Sequence, residues 1–113
     1  MKKTQSLKKN KDFIKVYENG KSYANRYLVM YILCNELNIN RLGISVSKKV
    51  GNSVIRHRVT RLIRESYRLS EELFKDGIDI IIIARVSAKE ASYQEIESAV
   101  KHLGKLQKVY ITV

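Results

Sequence analysis

Residues 41–69 read RLGISVSKKVGNSVIRHRVTRLIRESYRL, and the hydrophobic period changes in the middle of this stretch. From about Arg41 to Lys48 the apolar side chains Leu42, Ile44 and Val46 alternate with Gly43, Ser45 and Ser47, the period of a strand with one apolar face and one small, polar face. Gly51-Asn52-Ser53 ends that pattern, and Asn52 or Ser53 can cap a helix predicted from about Val54 to Leu69. At ~100° per residue, Ile55, Val59, Leu62, Ser66 and Leu69 fall on one side of this helix. His57, Arg61, Arg64 and Arg68 fall on the other, with Thr60 beside them. One face anchors the helix, and the other presents guanidinium groups.

Upstream, Tyr27 to Cys34 is apolar or aromatic on both alternating sets, which predicts a central strand covered on both faces. The polar loop 35–40 has a length that suits an antiparallel hairpin between this strand and the one from Arg41. A first helix is predicted from about Lys11 to Asn19, capped by Asn10 and ended by a left-handed Gly20, with Phe13 and Tyr17 four apart on one face. Downstream, Gly77 turns the chain into a strand over Ile78 to Arg85, whose four consecutive isoleucines belong in a core. Ser92 with Glu95 forms a capping-box signature for a last helix running to about Lys108, with Tyr93, Ile96, Val100, Leu103 and Leu106 at helical spacing. The order is α-β-β-α-β-α, an α+β sandwich on a small mixed sheet, in a single domain over 1–113. The second strand, second helix and third strand form a candidate parallel crossover, for which right-handedness is the general expectation.

The 113 residues carry 22 Lys and Arg against 11 Asp and Glu, a net charge of +11. Such an excess repels itself in a compact body, so a polyanion is the natural partner, nucleic acid ahead of an anionic membrane surface. Cys34 is the only cysteine, which excludes an intrachain disulfide and a Cys-based zinc site and fits a buried, inert thiol in a reducing compartment. The basic start from Met1 to Lys9 is followed by no apolar stretch of a secretory signal, and the longest apolar runs fall far short of the ~20 residues that span a bilayer. A cytoplasmic protein without a membrane segment is expected. No catalytic constellation stands out: His57 and His102 lie in different helices, the acids Glu71, Glu72, Asp76 and Asp79 read as a charged turn, and no phosphate-cradling glycine loop is present. A binder without catalytic or metal-ligating residues of its own is the expectation.

The positive charge is concentrated. No acid occurs between Glu36 and Glu65, whereas Arg41, Lys48, Lys49, Arg56, Arg58, Arg61 and Arg64 do. Arginine pairs bidentately with phosphate and stacks on bases, and the helix uses it without a lysine from Arg56 to Arg68. A solvated helix face mixes signs, and this one has only Glu65 near it. Phe13, Tyr17 and Tyr31 are candidates for a platform on which unpaired bases stack, or alternatively ordinary core residues.

The run Gly43-Ile44-Ser45-Val46-Ser47-Lys48-Lys49-Val50-Gly51-Asn52-Ser53-Val54, followed by Arg56-His57-Arg58 and Arg61-Leu62-Ile63-Arg64-Glu65, resembles the signature of the protein component of bacterial ribonuclease P. Leu7 to Gly20, Ala24-Asn25-Arg26 and Ile80 to Arg85 extend the resemblance over nearly the whole chain. The resemblance implies a small basic subunit that binds a large catalytic RNA, in a ribonucleoprotein that removes the 5′ leader from precursor tRNA. It implies that the RNA supplies the endonuclease site and holds its Mg2+; no cofactor on the protein is expected, and no obligate protein partner is inferred. Lys48, Lys49, Asn52, Arg56, His57, Arg58, Arg61, Arg64 and Arg68 would face the catalytic RNA. Phe13, Tyr17, Tyr31, Arg56, His57, Thr60, Arg61 and Arg64 would line the leader cleft. The family's crossover is left-handed. This chain has His57 where the family usually has asparagine, Thr60 where a basic residue is common, and Tyr17 where phenylalanine is frequent. The competing readings are a ribosomal or assembly RNA-binding protein of similar fold and, from another class, a protein nuclease.

Overall fold

The computed structural model describes residues 3–111; Met1 and Lys2 of the basic start, and Thr112 and Val113 at the far bound of the expected domain, lie outside the described residues. The elements are β1 (Thr4–Ser6), α1 (Asn10–Asn19), β2 (Lys21–Ala24), β3 (Leu28–Cys34), β4 (Asn40–Ser45), α2 (Ser53–Ser70), β5 (Ile78–Ala84) and α3 (Tyr93–Leu106), with 3-10 turns at Glu71–Leu73 and Val86–Glu90. The strands make one five-stranded mixed sheet in the order β1-β4-β5-β3-β2. β4 runs parallel to β1 and β5, and β3 antiparallel to β5 and β2.

The isoleucine run explains the centre. A strand alternates its side chains between two faces, so Ile80–Ile83 can be buried only if both faces of β5 are covered. Ile80 and Ile82 join Leu28, Met30, Ile32 and Leu42 under Val59, Ile63 and Tyr67 of α2 and Ile96, Val100 and Leu103 of α3. Ile81 meets Leu7 and Val16 on the other face, with Phe13, Tyr31, Leu33 and Ile83 packed around them. The layers are α1, sheet, then α2 with α3, an α+β architecture as the periodicities predict. Each fully buried isoleucine contributes about 1.5–3 kcal/mol, so β5 is the natural middle strand.

That placement overturns the expected hairpin. β3 and β4 are not partners; β5 lies between them, antiparallel to β3 and parallel to β4. The short strands β1 and β2, too polar and too short to show a period, cover the outer edges. Other local expectations shift. Asn10 is the first helical residue, and Lys9 occupies the cap position of α1 without a side-chain cap. Gly20 is extended at φ −79° rather than left-handed; a Cβ there would lie 2.5 Å from the Val16 carbonyl oxygen and 3.0 Å from that of Ile32, so glycine permits close approach. β4 ends at Ser45, not Lys48, and Cys34, at the end of β3, is exposed. In α2 the buried face centres on Val59, Ile63 and Tyr67, leaving Leu69 exposed. The Asn52 cap, the Ser92–Glu95 capping box and the turn at Gly77, φ +84°, are as expected.

Asn40 ties the starts of β4 and β5 together. Its buried side chain accepts from the Ile78 N–H at 3.0 Å and donates to the Lys75 carbonyl at 2.9 Å. Asn40→Ala strands both backbone groups, and a loss of about 2 kcal/mol in urea unfolding is expected. A loss below about 0.5 kcal/mol would mean that water replaces the amide without penalty.

Candidate nucleic-acid interface

The second helix begins where the Asn52 side chain accepts from the Ile55 N–H at 3.0 Å. With Val59, Ile63 and Tyr67 inside, His57, Arg61, Arg64 and Arg68 form the exposed stripe. Two members of the basic set are otherwise engaged. Arg68 pairs with Glu65 at 2.5 Å, which lowers the carboxyl's proton affinity and neutralises that end of the stripe. Arg58 donates to the carbonyls of Lys89 at 3.2 Å and Ala91 at 2.8 Å, holding α2 to the turn before α3. Thr60 returns its hydroxyl to the Arg56 carbonyl at 2.8 Å, while Arg56 is half-buried, its Nε enclosed without an acceptor among the described residues. His57, Arg61 and Arg64 are exposed and make no ion pair among the described residues.

Strand directions collect more cations beside this helix. β2, β4 and β5 point one way and β3 the other, so the ends of β2, β4 and β5 meet the start of β3. Lys48 and Lys49 leave β4 there in an exposed turn, and Arg85 leaves β5. Arg85 donates to the Asn25 carbonyl at 2.6 Å, and Ser87 to that of Arg26 at 2.5 Å. The N-terminus of α2 adds its positive dipole end. Glu36, Glu71, Glu72 and Asp76 lie towards the opposite end, around the start of β5. Periodicity places arginines on a helix face, but the nearness of Arg26 to Arg85 is set by the sheet and has no signal in the sequence.

The aromatic residues also come together. The Tyr17 ring lies 6.3 Å from Phe13 and 5.1 Å from Tyr31, edge-on to the latter. Phe13 packs on Gly43, where a Cβ would lie 2.5 Å from its ring. Burial, reinforced by Tyr31, pushes the Tyr17 phenol above its usual pKa, and nearby Ser45 opposes that shift. Val29, Ile83 and Ser45 share one row of the sheet and are only half covered, so a shallow trough continues from Tyr17 and Tyr31 towards the cationic end. Phe13 is a core-edge residue and Tyr17, 39% exposed, the accessible ring.

The sheet separates the two sets. The aromatic residues lie on the α1 side and the α2 arginines on the other, and no hydrogen bond, ion pair or ring contact among the described residues joins them. Arg41, counted with the basic segment, is not a surface cation: it pairs with Asp79 at 2.6 Å and with Asp12 at 3.4 Å. Among the described residues no group of three or more His, Cys, Asp or Glu side chains is placed to hold a metal ion, and no helix is long and apolar enough to cross a membrane.

The chain is similar to known proteins over nearly its whole length. The family model described as Ribonuclease P matches residues 1–107. The ribonuclease P protein component of Lachnoclostridium phytofermentans is 61% identical, over 94% of this chain and 91% of that one. The RNase P protein of Staphylococcus aureus superposes with a TM-score of 0.85 at 42% identity, covering 94% of this chain and 97% of its own. That of Thermotoga maritima gives 0.83 at 26% identity, covering 95% and 99%.

Proposed function

Because this chain belongs to the ribonuclease P protein family, we propose that its two surfaces take two RNAs. The exposed face of α2, with Lys48, Lys49 and Asn52 before it, docks on the catalytic RNA of the endoribonuclease. The trough at Tyr17 and Tyr31 takes the single-stranded 5′ leader of precursor tRNA, which leaves along the Lys48, Arg85 and Arg26 end of the sheet. Bond cleavage and its Mg2+ belong to the RNA subunit. We place the complex in the cytoplasm, where precursor tRNA is made.

The observation that carries this reading is the one-sidedness of α2, which buries Val59, Ile63 and Tyr67 and turns His57, Arg61 and Arg64 outward, with Glu65 the one acid in the helix. A helix bound to lipid would need its apolar face free, and this one is spent in the core. Phosphate is the remaining partner for an arginine row. The test is reconstitution: precursor tRNA is incubated with ribonuclease P RNA at low Mg2+, with and without the protein. Stimulated 5′ cleavage supports the reading; cleavage by the protein alone would indicate a nuclease, and no effect a ribosomal or assembly role.

Tyr17→Ala removes the accessible ring while leaving Val16, the buried residue of α1, in place. It is expected to weaken holoenzyme binding of precursor tRNA roughly tenfold, about one stacked base, and to leave mature tRNA unaffected. An equal loss for both would make Tyr17 a core residue only.

A further inference from the structure

A groove of about 400 Å³ opens between the Asn25–Tyr27 connection and α3, apart from the exposed stripe of α2 and from the aromatic trough. This is within the size range of small-ligand sites. Its floor is locked. The Asn25 Oδ1 accepts from the N–H groups of Tyr27 at 3.2 Å and Leu28 at 3.0 Å. Its Nδ2 donates to the Ala99 carbonyl at 3.0 Å and lies 3.2 Å from His102 Nδ1. An amide NH2 only donates, so His102 Nδ1 accepts and its proton sits on Nε2.

One wall is equally fixed. The Tyr27 hydroxyl donates to Glu95 Oε2 at 2.5 Å, and Glu95 Oε1 accepts from the Ser92 N–H at 2.9 Å, so the carboxylate is occupied on both oxygens. The Arg26 guanidinium carbon lies 5.1 Å from the centre of the Tyr27 ring. Gln94 and Ser98 are one turn apart on α3 and line the groove with side chains that make no hydrogen bond among the described residues.

We propose that this groove binds an adenine nucleotide. The base stacks on the Arg26–Tyr27 pair, as unpaired bases do on guanidinium and aromatic planes. The Gln94 amide accepts from adenine N6 and donates to N7, and the two-ring purine covers more of the Arg26–Tyr27 pair than a pyrimidine does. Ser98 and His102 Nε2–H serve the sugar, and the phosphate lies in the positive field of Arg26 and Arg85. The same chemistry is presented by an unpaired adenosine in an RNA strand and by a free mononucleotide. The inference rests on the reading of this chain as an RNA-binding subunit and adds to it a third binding surface, which shares Arg26 and Arg85 with the path of the leader.

Two arms test it on the full-length chain. In the first, 15N-labelled protein is titrated with AMP, with UMP and inorganic phosphate as controls. Shifts at residues 25–28 and 94–102 are expected to saturate with AMP at a dissociation constant at least fivefold below that for UMP, and Gln94→Leu, an exposed change of similar shape, to raise the AMP constant at least fivefold. In the second, a photoreactive amino acid at position 98 is crosslinked to ribonuclease P RNA and precursor tRNA in the reconstituted complex. A crosslink to an unpaired adenosine that Gln94→Leu abolishes identifies RNA as the source; AMP binding without a crosslink identifies a free nucleotide. No AMP preference together with no Gln94-dependent crosslink overturns the proposal. Cleavage stimulation by the same preparation at low Mg2+ reports on the family function separately, so its survival with a negative result in both arms removes the groove alone.

Discussion

Replacing Arg61 and Arg64 together by alanine is expected to lower affinity for ribonuclease P RNA roughly a hundredfold, about tenfold for each guanidinium–phosphate hydrogen bond that disappears. Both side chains are exposed, neither has an ion-pair partner among the described residues, and both lie on the face of α2 turned from Val59 and Ile63. Removing them therefore leaves the core intact. If the arginines pair with phosphate, the slope of log affinity against log salt falls by about two. Filter binding across a salt titration measures both quantities. Wild-type affinity with an unchanged slope would remove α2 from the RNA interface. Arg68, already paired with Glu65, contributes less, because RNA must first compete with that carboxylate.

Asp79→Ala is expected to cost about 3 kcal/mol of stability, the lower part of the range for breaking a buried ion pair. Asp79 stands directly across the ladder from Arg41. It accepts from Arg41 Nε at 2.8 Å and Nη2 at 2.6 Å, and from the Asn35 amide at 2.9 Å. Its side chain is 4% exposed and that of Arg41 23%, so the stranded guanidinium recovers only some hydration. Those hydrogen bonds hold Arg41 in its charged form, its pKa above the ordinary guanidinium value. Arg41 also reaches Asp12 in the first turn of α1, one residue before Phe13, so the same substitution loosens the helix that carries Tyr17. Urea unfolding followed by circular dichroism gives the stability. A change below about 1 kcal/mol would show that Asp12 and water suffice for Arg41.

These two changes mark the boundary of what pattern can reveal. The arginine stripe is legible because it obeys the period of a helix whose start is announced by Asn52, and Ser92 with Glu95 announces α3 equally well. Arg41 carries the same charge and lies in the same acid-free segment, but its partners Asp12 and Asp79 are 29 and 38 residues away. No local signal distinguishes it from a surface cation. Tyr17 shows the converse: its spacing from Phe13 predicts a shared face, but only its ring contact with Tyr31 reveals the edge of a trough.

Local chemistry determined the helices, the three longer strands, the basic face of α2 and the family resemblance, because period, caps and charge act over a turn or two of chain. The tertiary structure decided which strands pair. Four isoleucines need cover on both faces, so β5 enters between β3 and β4 and displaces the hairpin that loop length favoured. That insertion brings Arg26 beside Arg85, puts the aromatic trough and the arginine helix on opposite sides of one sheet, and opens the groove against α3. These depend on burial summed over distant segments, to which a short window of sequence is blind.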